Sequence, residues 1–144
     1  KWSAAKEIRE DLESISHADD PQLQALNIRA EIAQTPPNSP NFERLIDLVF
    51  AKSGLRSTML QIILVQSCEG DRAKNLLNRI EIPSADAQNN LSSARRISAI
   101  IWFLRATHNT HNQFSSMAES VALWQRALCP TAAKEAAKMM HKLL

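Results

Sequence analysis

The sequence predicts an all-α fold, a compact orthogonal bundle of about seven or eight short helices around one or two buried central helices. Only two glycines occur in 144 residues, whereas folds rich in tight turns need more of them. Hydrophobic residues make up 44% of the chain and aromatic residues 5%, so the core must consist mainly of aliphatic side chains. Apolar residues also recur every three to four positions, which is the period of a helix.

The length favours a single helical domain over residues 1–144, because one core can be built from a chain of this size. The chain begins at Lys1 rather than at a methionine. We therefore expect it to be an excerpt or a processed product of a longer protein.

Helices are predicted first over residues 2–15 and then from Pro21, which follows Asp20 as a first helical residue follows its cap. The first helix is amphipathic. Three prolines in residues 36–40 end the second helix before Thr35. The apolar stripe of the first helix, from which most of its acidic residues are excluded, consists of Trp2, Ala5, Ile8, Leu12 and Ile15.

The middle of the chain contains the two helices expected to be buried. Ser39 with Pro40 starts a third helix that stops at Gly54. Residues 58–67 are apolar around most of the circumference, as are residues 94–106, and such helices are usually central. Between them Gly70 is interpreted as a terminator.

In the same region, Asp71 is interpreted as the cap of a short helix that ends at Pro83. Residues 83–90 are predicted to be a loop. Two further helices are expected after the polar turn at residues 109–112, and Pro130 separates them.

Several function classes are disfavoured by the sequence. No apolar run approaches the roughly 20 residues that a membrane helix needs, so we expect no membrane span. Cys68 and Cys129 are distant and are interpreted as reduced, half-buried thiols. Two isolated glycines cannot form a phosphate-binding loop. We expect no cofactor and a cytoplasmic location, or the host-cell cytosol if the protein is an effector.

Candidate metal-binding and nucleophilic residues are few. His108 and His111 have a spacing that could contribute to a metal site with a third ligand, but two solvated histidines at a helix end are the preferred interpretation. A Cys–His pair would require contacts that nothing in the local sequence indicates. The sequence therefore predicts no catalytic residue and no metal site.

Charge is unevenly distributed. Residues 1–84 contain 10 Lys and Arg against 12 Asp and Glu, whereas residues 85–144 contain 7 against 3. This basic C-terminal half could bind phosphate or an acidic protein surface. The candidate partner-binding residues are Arg95, Arg96, Arg105, Arg126, Lys134, Lys138 and Lys142. We expect Trp102 to be buried, which argues against stacking on single-stranded nucleic acid.

The segment Ser53-Gly54-Leu55-Arg56-Ser57 resembles the arginine-bearing bulge of bacterial effector domains that activate Rho-type GTPases. Those domains are also small helical bundles, and the resemblance covers five residues. It implies that Arg56 would be an arginine finger, which stabilises transition-state charge in the partner's nucleotide site. The same residues are equally explained by Gly54 as a helix stop and Ser57 as the next cap.

The sequence as a whole favours a non-catalytic protein–protein interaction module of regulatory, adaptor or effector type. Methionines on the apolar faces could give adaptable contact surfaces. Two alternatives stay open: a nucleic-acid-associated domain that uses the basic C-terminal half, and a GTPase-activating bundle that uses Arg56. Another protein is the expected partner, with nucleic acid as the alternative.

Overall fold

The computed structural model describes residues 21–143, and the predicted helix over residues 2–15 lies outside this range. The described residues contain eight α-helices and no strand, so the all-α prediction is confirmed. The helices are α1 Pro21–Gln34, α2 Pro40–Phe50, α3 Leu55–Gln66, α4 Gly70–Arg79, α5 Ala85–Asn90, α6 Ser92–Thr107, α7 Gln113–Arg126 and α8 Pro130–Lys142.

The chain divides into two compact units, residues 1–67 and residues 68–144. The first unit contains α1, α2 and α3, and the second contains α4 to α8. The single-domain organisation predicted for residues 1–144 stays a prediction. The two helices predicted to be central fall in different units, α3 in the first and α6 in the second.

In the first unit, α3 packs against both α1 and α2. The helix α2 starts at Pro40 after an extended Ser39 and buries Phe42, Leu45, Ile46 and Val49 along one face. This confirms the start that the serine–proline pair predicts. Gln61 of α3 is buried, and its Nε2 donates to the main-chain oxygen of Val49 at 3.3 Å. A buried amide is thereby satisfied between two helices.

In the second unit, α6 packs against α4, α5 and α7, and α7 packs against α8. The contact between α6 and α7 includes small buried residues. Ser120 is fully buried and its Oγ donates to the main-chain oxygen of Ala99 at 2.8 Å. Ser98 and Ser116 are buried as well, and α8 adds Ala133 and Ala136.

The helices α6 and α7 end in the same type of motif. After α6, the amide of Asn109 donates to Ala106 O at 3.2 Å and that of Thr110 donates to Arg105 O at 3.1 Å. This is the bond pattern of a Schellman motif, and Asn109 has a φ of 56° at its left-handed position. Asparagine is one of the residues that tolerate this conformation.

After α7 the same pattern recurs, with Leu128 donating to Gln125 O at 3.1 Å and Cys129 donating to Trp124 O at 2.9 Å. Here the left-handed residue is Leu128, with a φ of 57°, and 86% of its surface is exposed. A leucine in this conformation carries a steric cost that glycine avoids.

Two predicted helix boundaries and one predicted loop are wrong. Gly70 starts α4 instead of ending a helix, and Glu69 is its cap, so Asp71 lies inside the first turn. Gly54 is the cap of α3, and Ser57 lies within that helix. Residues 85–90 form the short helix α5 instead of the predicted loop. Its N-terminus is capped by Ser84 Oγ, which accepts from the amide of Ala87 at 3.2 Å.

None of the helices within residues 21–143 is long and apolar enough to span a bilayer.

Candidate functional site

The predicted basic residues all lie in the second unit, and two of them contact α5. Arg95 is half-buried, and its Nη1 donates to Gln88 O at 2.6 Å and to Asn89 O at 3.4 Å. These carbonyls belong to the last turn of α5, which has no following turn to satisfy them. Arg126 Nη2 donates to Asn89 Oδ1 at 3.2 Å. Both arginines therefore stabilise the end of α5.

Arg105 lies against an aromatic ring. Its Cζ is 4.9 Å from the centroid of the Trp102 ring, within the range of a cation–π contact. Burial lowers the pKa of Arg105, because desolvation disfavours the charged guanidinium. Trp102 is half-buried, not buried as expected, and His111 meets it edge-on with ring centroids 6.2 Å apart. Arg105 thus already occupies one side of this ring.

The other four cations are exposed. Arg96 lies on α6, and Lys134, Lys138 and Lys142 lie four residues apart along α8. Lys138 Nζ is 3.5 Å from Glu135 Oε1, an exposed pair that contributes little to stability. The structure therefore separates the seven candidates by role. Three contact neighbouring groups of the fold, and four extend toward solvent.

The histidines and cysteines are the candidate metal ligands and nucleophiles of the sequence. His111 Nδ1 lies 2.9 Å from Thr110 Oγ1 at the exposed end of α6. Within the described part of the chain, no group of three or more His, Cys, Asp or Glu residues could hold a metal ion. The cysteines Cys68 and Cys129 are not joined in a disulfide; Cys68 is buried rather than half-buried, and Cys129 is half-buried as expected.

Arg56, the proposed arginine finger, lies in the first turn of α3 and is exposed. The turn before it is formed by Gly54, whose φ of 107° is unfavourable for other residues. Gly54 O accepts from both the amide and the Oγ1 of Thr58 at 3.0 Å. These hydrogen bonds stabilise the first turn of α3, the turn in which Arg56 lies.

A groove with a volume of about 400 Å³ lies between α1 and α3, and Arg56 is part of its lining. We call it the α1–α3 groove. Two of its apolar side chains are exposed, Leu26 by 58% and Met59 by 37%. The lining residues are Gln22, Ala25, Leu26, Arg29, Arg56, Met59, Leu60 and Ile63.

The α1–α3 groove is apolar at its base and cationic at its edge. Arg29 and Arg56 are both exposed, and neither forms an ion pair with another residue of the range 21–143. The single acid of α1 and α3, Glu31, is paired with Arg44 of α2 at 2.9 Å. A neighbouring cavity of about 300 Å³ shares Arg56 and adds Lys52. No carboxylate is among the described residues that line either cavity.

Comparison with family models, curated proteins and solved structures returned no match to this chain.

Sequence reasoning did not find the α1–α3 groove, although one signal for it exists. Each wall carries an arginine and an apolar residue three positions apart: Leu26 with Arg29, and Arg56 with Met59. Residues at this spacing lie on one face of a helix. The methionines predicted to offer contact surface behave differently, because Met117 is buried and Met139 and Met140 pack around it.

Proposed function

We propose that this protein is a non-catalytic protein–protein interaction module and that the α1–α3 groove binds an amphipathic, acidic helix of a partner protein. The proposal rests on two exposed apolar side chains, Leu26 and Met59, that share one groove with two arginines. Neither arginine forms an ion pair with another of the described residues. Helices commonly bind to other proteins by inserting an apolar face into such a groove.

Each part of the groove has a separate role in this proposal. Leu26 and Met59 lose exposed apolar surface when a helix is bound, which is the main favourable term. Methionine also adapts its shape to different partners. Arg29 and Arg56 select a partner with carboxylates beside its apolar stripe and raise the association rate.

The test is affinity capture from a cell lysate with the full chain as bait, with and without nuclease and at low and moderate salt. Mass spectrometry then identifies the captured proteins. We expect a partner that survives nuclease and moderate salt. Capture should fall at least tenfold for the double variant Leu26→Glu and Met59→Glu. Both substitutions remove exposed apolar surface, and each new carboxylate lies three positions from Arg29 or Arg56 and competes with the acidic partner for that arginine. The matched control is Leu128→Glu, another exposed leucine. Equal loss from both variants would refute the groove as the binding surface.

The nucleic-acid alternative is supported by the four solvent-facing cations on α6 and α8. If they bind phosphates, replacing Arg96, Lys134 and Lys138 with glutamine should make affinity less dependent on salt. The slope of log affinity against log salt concentration should fall in magnitude by about 0.9 for each phosphate that is no longer neutralised. Arg95 is unsuitable for this test, because it holds the end of α5. Capture that disappears with nuclease would favour this alternative over the groove.

The GTPase-activating alternative is supported by the exposed position of Arg56 at the start of α3. In that case Arg56→Ala would abolish stimulation of GTP hydrolysis by Rho-type GTPases, and Arg29→Ala would not. Both substitutions remove one exposed arginine from the same groove, so folding and charge are matched. Equal activity of the two variants would remove the finger assignment.

A further inference from the structure

We propose that the second unit has a peripheral membrane-binding surface where α6 begins and α7 ends, and that its occupant is an anionic lipid bilayer. Leu91 and Leu128 insert among the lipid acyl chains, and neighbouring cations contact the anionic headgroups. We call this surface the leucine end. It belongs to residues 68–144 and uses no residue of the α1–α3 groove.

The helices α6 and α7 pack side by side in one antiparallel register. Ser120 Oγ donates to Ala99 O at 2.8 Å, and Gln113 Nε2 donates to Ala106 O at 3.1 Å. From the first bond to the second, the position in α7 moves back by seven residues and the position in α6 moves forward by seven. Both bonds therefore fit the same alignment of the two helices.

This register brings the two leucines to one end of the unit. Leu91 lies eight residues before Ala99, and Leu128 lies eight residues after Ser120. They are therefore level with each other along the helix pair, and packed helices are about 8–10 Å apart. Leu91 is 48% exposed and Leu128 is 86% exposed, so the leucine end presents two apolar side chains to solvent.

Both leucines occupy backbone positions that favour polar residues. Leu128 is left-handed, with a φ of 57°, whereas the same position after α6 is occupied by Asn109. Leu91 is the N-cap of α6 and makes no side-chain cap bond, although Ser, Thr, Asp and Asn are preferred there. Exposed side chains gain little from packing within the chain. Residues held at such a cost are often retained for contact with a ligand.

The leucine end is cationic. Residues 87–98 and 120–134 contain four cations and no Asp or Glu; the cations are Arg95, Arg96, Arg126 and Lys134. Arg95 donates to main-chain oxygens and Arg126 to the amide oxygen of Asn89, and these acceptors carry no charge that would neutralise an arginine. The flanking acids are Asp86 and Glu135, so the region keeps an excess of positive charge. An anionic surface complements it.

The spacing of leucines and cations matches the layers of a bilayer surface. Arg96 and Lys134 are the fifth residues of α6 and α8, about 6 Å along each helix from its first residue. Interfacial elements bury apolar side chains about 5–10 Å deep at the boundary between headgroups and acyl chains. The cations therefore reach the level of the headgroups when Leu91 and Leu128 reach the acyl chains.

Aliphatic side chains favour lipid over other anionic partners. Nucleic-acid bases stack on aromatic rings, and Trp124, the aromatic residue of these two segments, packs against the cluster that contains Met117 and Ala136. Leucine is also under-represented among the residues that dominate protein–protein binding. A bilayer accommodates a protruding leucine without a preformed pocket, because burial of apolar surface is non-directional.

The first experiment measures co-sedimentation of the full chain with lipid vesicles. We expect binding to phosphatidylcholine vesicles that contain phosphatidylserine to be at least about tenfold tighter than binding to phosphatidylcholine alone. The double variant Leu91→Ser and Leu128→Asn should lose at least about tenfold in affinity, because no apolar side chain is left to insert. Serine suits an N-cap and asparagine a left-handed position, so this loss is separate from unfolding. The control Leu48→Gln, at an exposed leucine of α2, should bind as the unmodified chain does.

The second experiment removes charge. Arg96→Gln with Lys134→Gln should weaken binding to the phosphatidylserine vesicles about twentyfold, since each cation near an anionic bilayer contributes about fivefold. Arg44→Gln with Lys52→Gln removes the same charge from the first unit and should change affinity by less than about twofold, because the attraction falls off within a Debye length. In the same vesicles, p-benzoylphenylalanine in place of Leu128 should form photoadducts with lipid acyl chains.

Four other outcomes would overturn the inference. Equal affinity for both kinds of vesicle, or equal losses from the two charge pairs, would exclude a specific anionic lipid surface. Unchanged binding of the leucine variant would exclude insertion. Binding to a single-stranded oligonucleotide and not to vesicles, reduced by the Arg96 and Lys134 substitutions, would assign the surface to nucleic acid. Photoadducts with a protein of a cell lysate, without vesicle binding, would assign it to a protein partner.

Discussion

The left-handed backbone conformation of Leu128 predicts a measurable change in stability when this residue is replaced by glycine. Its φ of 57° places it in the left-handed region, where a residue with a side chain carries a cost of roughly 1–2 kcal/mol. Because 86% of its surface is exposed, shortening the side chain sacrifices little burial, about 0.3 kcal/mol. Replacement by glycine therefore removes the steric term without opening a cavity.

Glycine also makes the unfolded chain more flexible, which offsets about 0.5–1 kcal/mol of the gain. We expect Leu128→Gly to be more stable than Leu128→Ala by about 0.5–1 kcal/mol. Both variants lack the leucine side chain, so their difference isolates the backbone term. The corresponding rise in Tm is about 2 °C if the whole chain melts as one cooperative transition.

The assay is urea denaturation of both variants followed by circular dichroism, with calorimetry for Tm. Asn109 is the matched position, since it has the same conformation at the end of α6. Asn109→Leu should lower the free energy of unfolding by about 1 kcal/mol, because asparagine tolerates this conformation better than leucine does. If Leu128→Gly is no more stable than Leu128→Ala, the left-handed assignment at the end of α7 is wrong.

Three further substitutions test contacts within the second unit. Ser120→Leu should lower the free energy of unfolding by about 3 kcal/mol, measured by urea denaturation, because overpacking adds to the loss of the hydrogen bond to Ala99 O. A smaller loss than that of Ser120→Ala would contradict the close packing. Arg95→Met should increase hydrogen exchange at the amides of α5 about tenfold, since the end of that helix loses its donor; unchanged protection would show that Arg95 is dispensable. Asn112→Ala should lower stability by about 1 kcal/mol, because the side chain caps α7 by accepting from Ser115 N at 2.9 Å; a Tm equal to that of the unmodified chain would exclude the cap.

Helix existence could be predicted from the sequence where the signals are local. The serine–proline pair at residues 39 and 40 marks the start of α2 correctly, because proline at a first helical position acts through its own backbone. The last helix, predicted from Thr131, begins one residue earlier at Pro130. The helix α5 was missed for a physical reason. It has six residues and no buried side chain, so it gives no periodic pattern, and Arg95 from α6 supports its end.

The site was harder to predict than the fold. The α1–α3 groove combines residues that are distant in sequence. The pairing of an arginine with an apolar residue on each helix does not tell which helix faces are left uncovered. Methionines illustrate the difficulty: Met59 and Met117 both lie on helices with apolar faces, but one is 37% exposed and the other 1%. The cations show the same limit, because nothing in the local sequence tells that Arg95 contacts α5 whereas Lys134 extends toward solvent.

The small side chains between α6, α7 and α8 have a consequence for how this fold can diverge. Ser98, Ala99, Ser116, Ser120 and Ala136 are at most 1% exposed, so there is no room for a larger residue at any of them. Substitutions among Gly, Ala and Ser should be tolerated there, whereas packing places no such limit on the exposed cations of α8. Distant homologues of this fold would therefore share the spacing of these small residues rather than any charged or aromatic motif.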